Sequence, residues 1–114
     1  MPLTRAFKDT VVARAERDAA FRDALLTEGI DALLAGDVDT GKAIIRDYIN
    51  ATIGFEKLSE QTGTPSKSLM RMFGPAGNPN ARNLFSVIGR LQEASGVSLR
   101  VRRRTTAPAT RAPR

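Results

Sequence analysis

From Phe7 to Leu91, apolar side chains return every three or four residues, and a glycine, a proline or a capping acid separates each run from the next. That spacing places them on one face of successive helices, so the chain is expected to be an all-α helical bundle. Thr4 is placed to cap a first helix, with Phe7, Val11 and Ala15 in step and Val12 beside them. Asp18 caps or breaks the chain before Phe21, Leu25, Leu26, Ile30, Leu33 and Leu34, and Gly29 sits where it can divide that stretch in two. Gly36 stops this run. Asp37 can cap the next, with Asp39 near its positive end, and Ala43, Ile44, Ile45, Tyr48, Ile49 and Thr52 lead to Gly54.

The second half is more closely punctuated. Phe55 to Thr62 spells a two-turn helix with Leu58 facing inward, closed by Gly63. Thr64 is a good N-cap and Pro65 is tolerated at a first helical position, so a further helix is predicted over 65–73. Gly74 to Asn80 is dense in Gly, Pro and Asn and should be a loop. Asn80 then caps a last helix with Leu84, Phe85, Ile88 and Leu91 on its apolar face, ending near Gly96. Val97, Leu99 and Val101 alternate with Ser98, Arg100 and Arg102. This period of two suits a short C-terminal strand paired with its copy in a second subunit, or an extended segment laid on the helices. Residues 105–114 have no apolar period and are expected to be a disordered basic tail.

Composition narrows the chemistry. With neither His nor Cys, the chain has no imidazole base, thiolate nucleophile, disulfide or usual zinc site. Its carboxylates are spread over helix faces, and Gly74-Pro75-Ala76-Gly77 lacks the Lys-Ser/Thr ending of a phosphate loop. No enzyme activity and no cofactor are expected. No apolar run is long enough to span a bilayer and Met1-Pro2-Leu3-Thr4-Arg5 is not apolar, which predicts a cytoplasmic protein without a membrane partner. The formal net charge is +6, unevenly spread. Residues 1–53 carry seven basic and nine acidic side chains, whereas the charged residues after Leu99 are all arginine. A basic C-terminal half implies a nucleic-acid partner on one side of the molecule.

The segment from Phe55 to Phe73 concentrates the function. Two short helices meet at a turn containing Gly63, and Ser59 is small where the second helix approaches the first. Leu69, Met72 and Phe73 face inward. Ser66, Lys67, Met70 and Arg71 share the outward face, which holds donors and no acid. Lys67 and Arg71 can reach guanine O6 and N7 or fall back on phosphate, and Ser66 lies at the helix N-terminus, where backbone amides favour a phosphate.

From Phe55 to Leu99 the sequence resembles the lambda-repressor-like (Xre-type) helix-turn-helix regulators, and among them the addiction-module antidote proteins. The resemblance is carried by Ser66-Lys67-Ser68-Leu69-Met70-Arg71-Met72-Phe73, by Gly77-Asn78-Pro79-Asn80, and by the helix from Leu84 to Leu91 with Gly96-Val97-Ser98-Leu99 after it. It implies a recognition helix in the major groove of double-stranded DNA, with Ser66, Lys67 and Arg71 at the bases and Thr64, Ser68, Asn78, Asn80 and Arg82 toward phosphates. It further implies repression of transcription and, as an alternative, an antitoxin that also neutralises a toxin protein. A third reading is nonspecific nucleic-acid binding through the arginine tail. Phe55 stands where relatives often carry a phosphate-binding Gln. On this division, residues 1–36 form an N-terminal helical extension suited to homodimerisation, and 37–104 form the DNA-binding domain.

Overall fold

The computed structural model describes residues 2–105, with the backbone alone for 2–8. Six helices follow one another: α1 (Pro2–Arg17), α2 (Ala19–Leu34), α3 (Val38–Ala51), α4 (Phe55–Thr62), α5 (Ser66–Met72) and α6 (Ala81–Ser95). The described residues contain no strand, and no helix among them is long and apolar enough to cross a membrane. The Phe7 side chain and the tail after Thr105 lie outside the described residues.

The caps explain most boundaries. Asp18 accepts a hydrogen bond from the Phe21 amide at 3.1 Å, Asp37 from that of Thr40 at 3.3 Å, and Asn80 from that of Asn83 at 2.8 Å. Each satisfies one of the amides that a helix start leaves without an intrahelical partner. Two expected caps fail. α1 already runs from Pro2, so Thr4 lies inside it. α5 is capped by Pro65 in extended geometry with no side-chain bond, and begins one residue later than its sequence suggests. Pro65 holds φ at −56° with ψ at 143°, and Thr64, like any residue before proline, is turned away from helical geometry.

α2 crosses α3 closely, and α1 packs on both. Gly29 does not divide α2, because it is buried at the crossing. A Cβ there would come 2.9 Å from Ile45 Cγ1, and one at Gly41 would come 2.6 Å from Leu33 Cδ2. Gly therefore costs helix propensity at both positions and gains close packing. Arg22 ties the α1–α2 corner by donating to the carbonyls of Ala15 (3.0 Å) and Glu16 (3.3 Å). α4 packs on α5 and α6. Buried side chains from Ala15 in α1 to Leu91 in α6 form one cluster, with Leu26, Ile45, Tyr48, Ile49, Leu58, Leu69, Phe73 and Val87 at its centre.

Of the two forms open to the C-terminal segment, the described chain takes the extended one laid on the helices: Val97 and Leu99 pack against the core while Val101 is 83% exposed. Two of its amides are satisfied from α6: that of Leu99 donates to Gln92 Oε1 at 2.7 Å and that of Val97 to the Gln92 carbonyl at 3.2 Å. One further expectation is corrected. Phe85 is not part of the inward face of α6. It is 64% exposed, and Val87 takes the buried position. A heptad-like spacing accommodates either choice, and the larger side chain misled.

Candidate nucleic-acid interface

The turn between α4 and α5 rests on Gly63, whose φ of 77° lies in the left-handed region that glycine adopts without strain. Its amide closes α4 on the Ser59 carbonyl at 2.9 Å, and Thr62 donates its hydroxyl to the Leu58 carbonyl. Leu58, Leu69 and Phe73, each at most 1% exposed, lock α5 against α4 and the rest of the core. Lys67, Met70 and Arg71 are left on the solvent side, with Ser66 and Ser68 half-buried at its flanks. Among the described residues neither Lys67 nor Arg71 is paired with an acid.

An acid does reach the edge of this face. Ser66 Oγ donates to Glu56 Oε2 at 3.4 Å across the turn. The acid-free reading therefore holds for α5 itself and fails at its first turn. The spacing within α5 carries no trace of Glu56, which arrives from the first turn of α4. Phe55 beside it is buried, so it is a core position.

The loop after α5 is held from α3 by a residue that sequence reasoning passed over. Lys42 is 3% exposed, and its Nζ donates to the carbonyls of Gly74 (3.0 Å) and Gly77 (2.6 Å), with Asp39 Oδ1 at 3.8 Å. Arg46 adds a bond to the Phe73 carbonyl at 3.5 Å. Two cations thus meet the carbonyl-rich end of α5, where the helix dipole favours positive charge. The signal was present: Lys42, Ile45 and Ile49 sit at i, i+3 and i+7, so a lysine occupies the apolar stripe of α3. Gly77 completes the latch, because a Cβ there would overlap the Arg71 carbonyl and fall 2.7 Å from that of Met72. The first half of the loop is thereby fastened, and Asn78 and Asn80 in its second half, with Arg82 at the start of α6, are exposed. Asn80, exposed, spends its side-chain oxygen on the α6 cap, which leaves the donors of its side-chain NH2 for other partners.

Replacing Lys42 with Met, which keeps the length and removes the donors, strips the half-buried Gly77 carbonyl of its lysine bond and leaves the Gly74 carbonyl only the Gly77 amide. A loss of about 2–4 kcal/mol is expected. Hydrogen exchange checks it: the Gly74 and Gly77 amides, bonded to Arg71 and Gly74 carbonyls, should lose protection before the α2–α3 core does. Equal loss everywhere would mean that Lys42 supports the whole fold and not the loop.

Thr64 is half-buried within the turn, its amide donating to Thr62 Oγ1 at 3.3 Å. The predicted residues thus gather in two places, α5 with its leading turn and the loop with the start of α6. An open groove of about 730 Å³, bordered by Arg22, Tyr48, Lys57 and Leu91 among others, shares no residue with either. Comparison of the chain with family models, with curated proteins and with solved structures finds no match.

Proposed function

We propose that the protein is a sequence-specific DNA-binding regulator that inserts α5 into the major groove. The observation that carries this is the pairing of two properties in one short helix. Leu69 and Phe73 anchor α5 in the core, while Lys67 and Arg71 stand exposed one turn apart and unpaired with any described acid. A surface helix that served only solubility would gain from an acid spaced to meet its cations; this one has none within its length. Arg and Lys are the side chains that read guanine O6 and N7.

Asn78 and the side-chain amide of Asn80 take backbone phosphates, in a loop that Lys42 and Gly77 hold at a fixed register to α5. Thr64 and Ser68 flank the groove-facing residues and serve the same purpose. Phosphate contacts of this kind set orientation and leave sequence choice to the base edges. Ser66 contributes once its hydroxyl leaves Glu56, whose carboxylate also repels phosphate at that edge. Two copies acting together would read two half-sites, and occupancy of such an operator is the regulatory act.

Selection from random duplexes at physiological salt tests the reading. Enrichment of a motif with half-sites about 10 base pairs apart, or a multiple, is the expected outcome. Binding without enrichment would replace the proposal with nonspecific attachment through Arg100, Arg102, Arg103, Arg104, Arg111 and Arg114, and its affinity would fall steeply with salt.

A further inference from the structure

We infer that the solvent face of α6 is a two-fold seam against a second copy of the chain. The face lies opposite the helix's buried stripe of Leu84, Val87, Ile88 and Leu91, and it consists of Arg82, Phe85, Ser86, Gly89 and Glu93. Two of these residues are unexplained by the fold of one chain. Phe85 exposes an aromatic ring to 64% with nothing apolar required of it. Gly89 sits in the middle of a fifteen-residue helix, at normal helical geometry, with nothing within 4 Å of where its Cβ would be. Glycine is the poorest helix former after proline, and here no neighbour in the chain requires it.

Both residues gain a purpose if a second α6 approaches in antiparallel orientation, with the two-fold axis level with the Val87–Ile88 peptide. Ser86 then faces Gly89 of the second copy, small against absent, so that the two backbones close together. The two Phe85 rings fall on one edge of the seam, about 7.5 Å apart along the axes for a rise of about 1.5 Å per residue, which lets them reach each other. At both ends Arg82 meets Glu93 of the second copy. Glu93 is exposed, and its bridge to Arg90 at 3.1 Å uses one carboxylate oxygen. This self-complementarity of charge selects a second copy over other occupants: each face brings both partners of the pair, placed symmetrically about its centre. Arg82, which the family resemblance points toward a phosphate, is thereby assigned to the seam.

The inference names the contact of the dimer proposed above and depends on the DNA-binding reading only for its use. A single helix pair falls below the size of a standard stable interface, so association in the micromolar range is expected. The test is sedimentation of the full-length free protein from low to several hundred micromolar. The unaltered chain should show a monomer–dimer equilibrium. Gly89→Leu, which has open space in the monomer, should weaken dimerisation at least about tenfold with helix content unchanged. Arg82→Glu and Glu93→Arg should each weaken it by a similar factor, and the double exchange should restore it to within about threefold. A monomer at every concentration, a dimer indifferent to Gly89→Leu, or a double exchange that fails to restore association would each overturn the seam. Duplex selection with the unaltered protein reports separately on DNA binding: a motif of single half-sites from a monomer would retire the seam and keep the regulator. A dimer that binds no duplex would do the reverse.

Discussion

If α5 reads DNA as proposed, Lys67→Ala together with Arg71→Ala should lower the preference for a selected duplex by at least about 30-fold, with the fold retained. A well-formed contact of Lys or Arg with guanine is worth about 1–3 kcal/mol of discrimination, so two such losses amount to about 2–6 kcal/mol. The lower bound already corresponds to about 30-fold. Stability should change little, because both side chains are exposed and pair with no described acid. Arg71 lies in the last turn of α5, where a cation is worth up to about 1 kcal/mol against the helix dipole. Competition between operator and random duplex reads the discrimination, and thermal unfolding reads the fold. Discrimination that survives the double change would remove α5 from the bases and leave it a structural element. A uniform loss on every duplex, with the ratio intact, would make both residues phosphate contacts.

The helices were legible in the sequence because each is punctuated chemically. Asp18, Asp37 and Asn80 cap where a polar residue precedes an apolar period, and Gly63 and Gly96 end helices in left-handed geometry. What escaped was what depends on two elements at once. Gly29 reads as a break until α3 is laid across it. Glu56 reads as a first-turn acid of α4 until the turn brings it to Ser66. Val97, Leu99 and Val101 alternate in a way open equally to a strand or to an extended segment on the helices, and only the position of Gln92, which accepts from the Leu99 amide, favours the second in the described chain. In the candidate site, the exposed cations of α5 followed from the helical period alone. Lys42 did not, because periodicity marks where an apolar residue belongs and cannot say which carbonyls await a lysine placed there.

Gly77→Ala should be the most damaging single methyl group in the chain. The added Cβ meets two backbone carbonyls, those of Arg71 and Met72, and neither can rotate aside as a side chain would. Relief requires moving the end of α5 or the loop. The loop is fastened to Lys42 at Gly74 and Gly77, and α5 is fastened through Leu69 and Phe73 in the core. A cost of about 3 kcal/mol or more is expected, at the upper end of what overpacking does. For a domain of this size that lowers the thermal midpoint by roughly 12 °C or more. The neighbouring Ala76→Gly serves as the contrast: it lies in the same loop, is exposed, and should cost less than about 1 kcal/mol. A Gly77→Ala midpoint within a few degrees of the parent would mean that the loop can step away from α5. The fixed register between α5 and Asn78 would then be lost as an argument. A large drop that Lys42→Met does not deepen would instead show that clash and latch act on one structure, because a loop already displaced by the methyl group has no carbonyls left for Lys42 to hold.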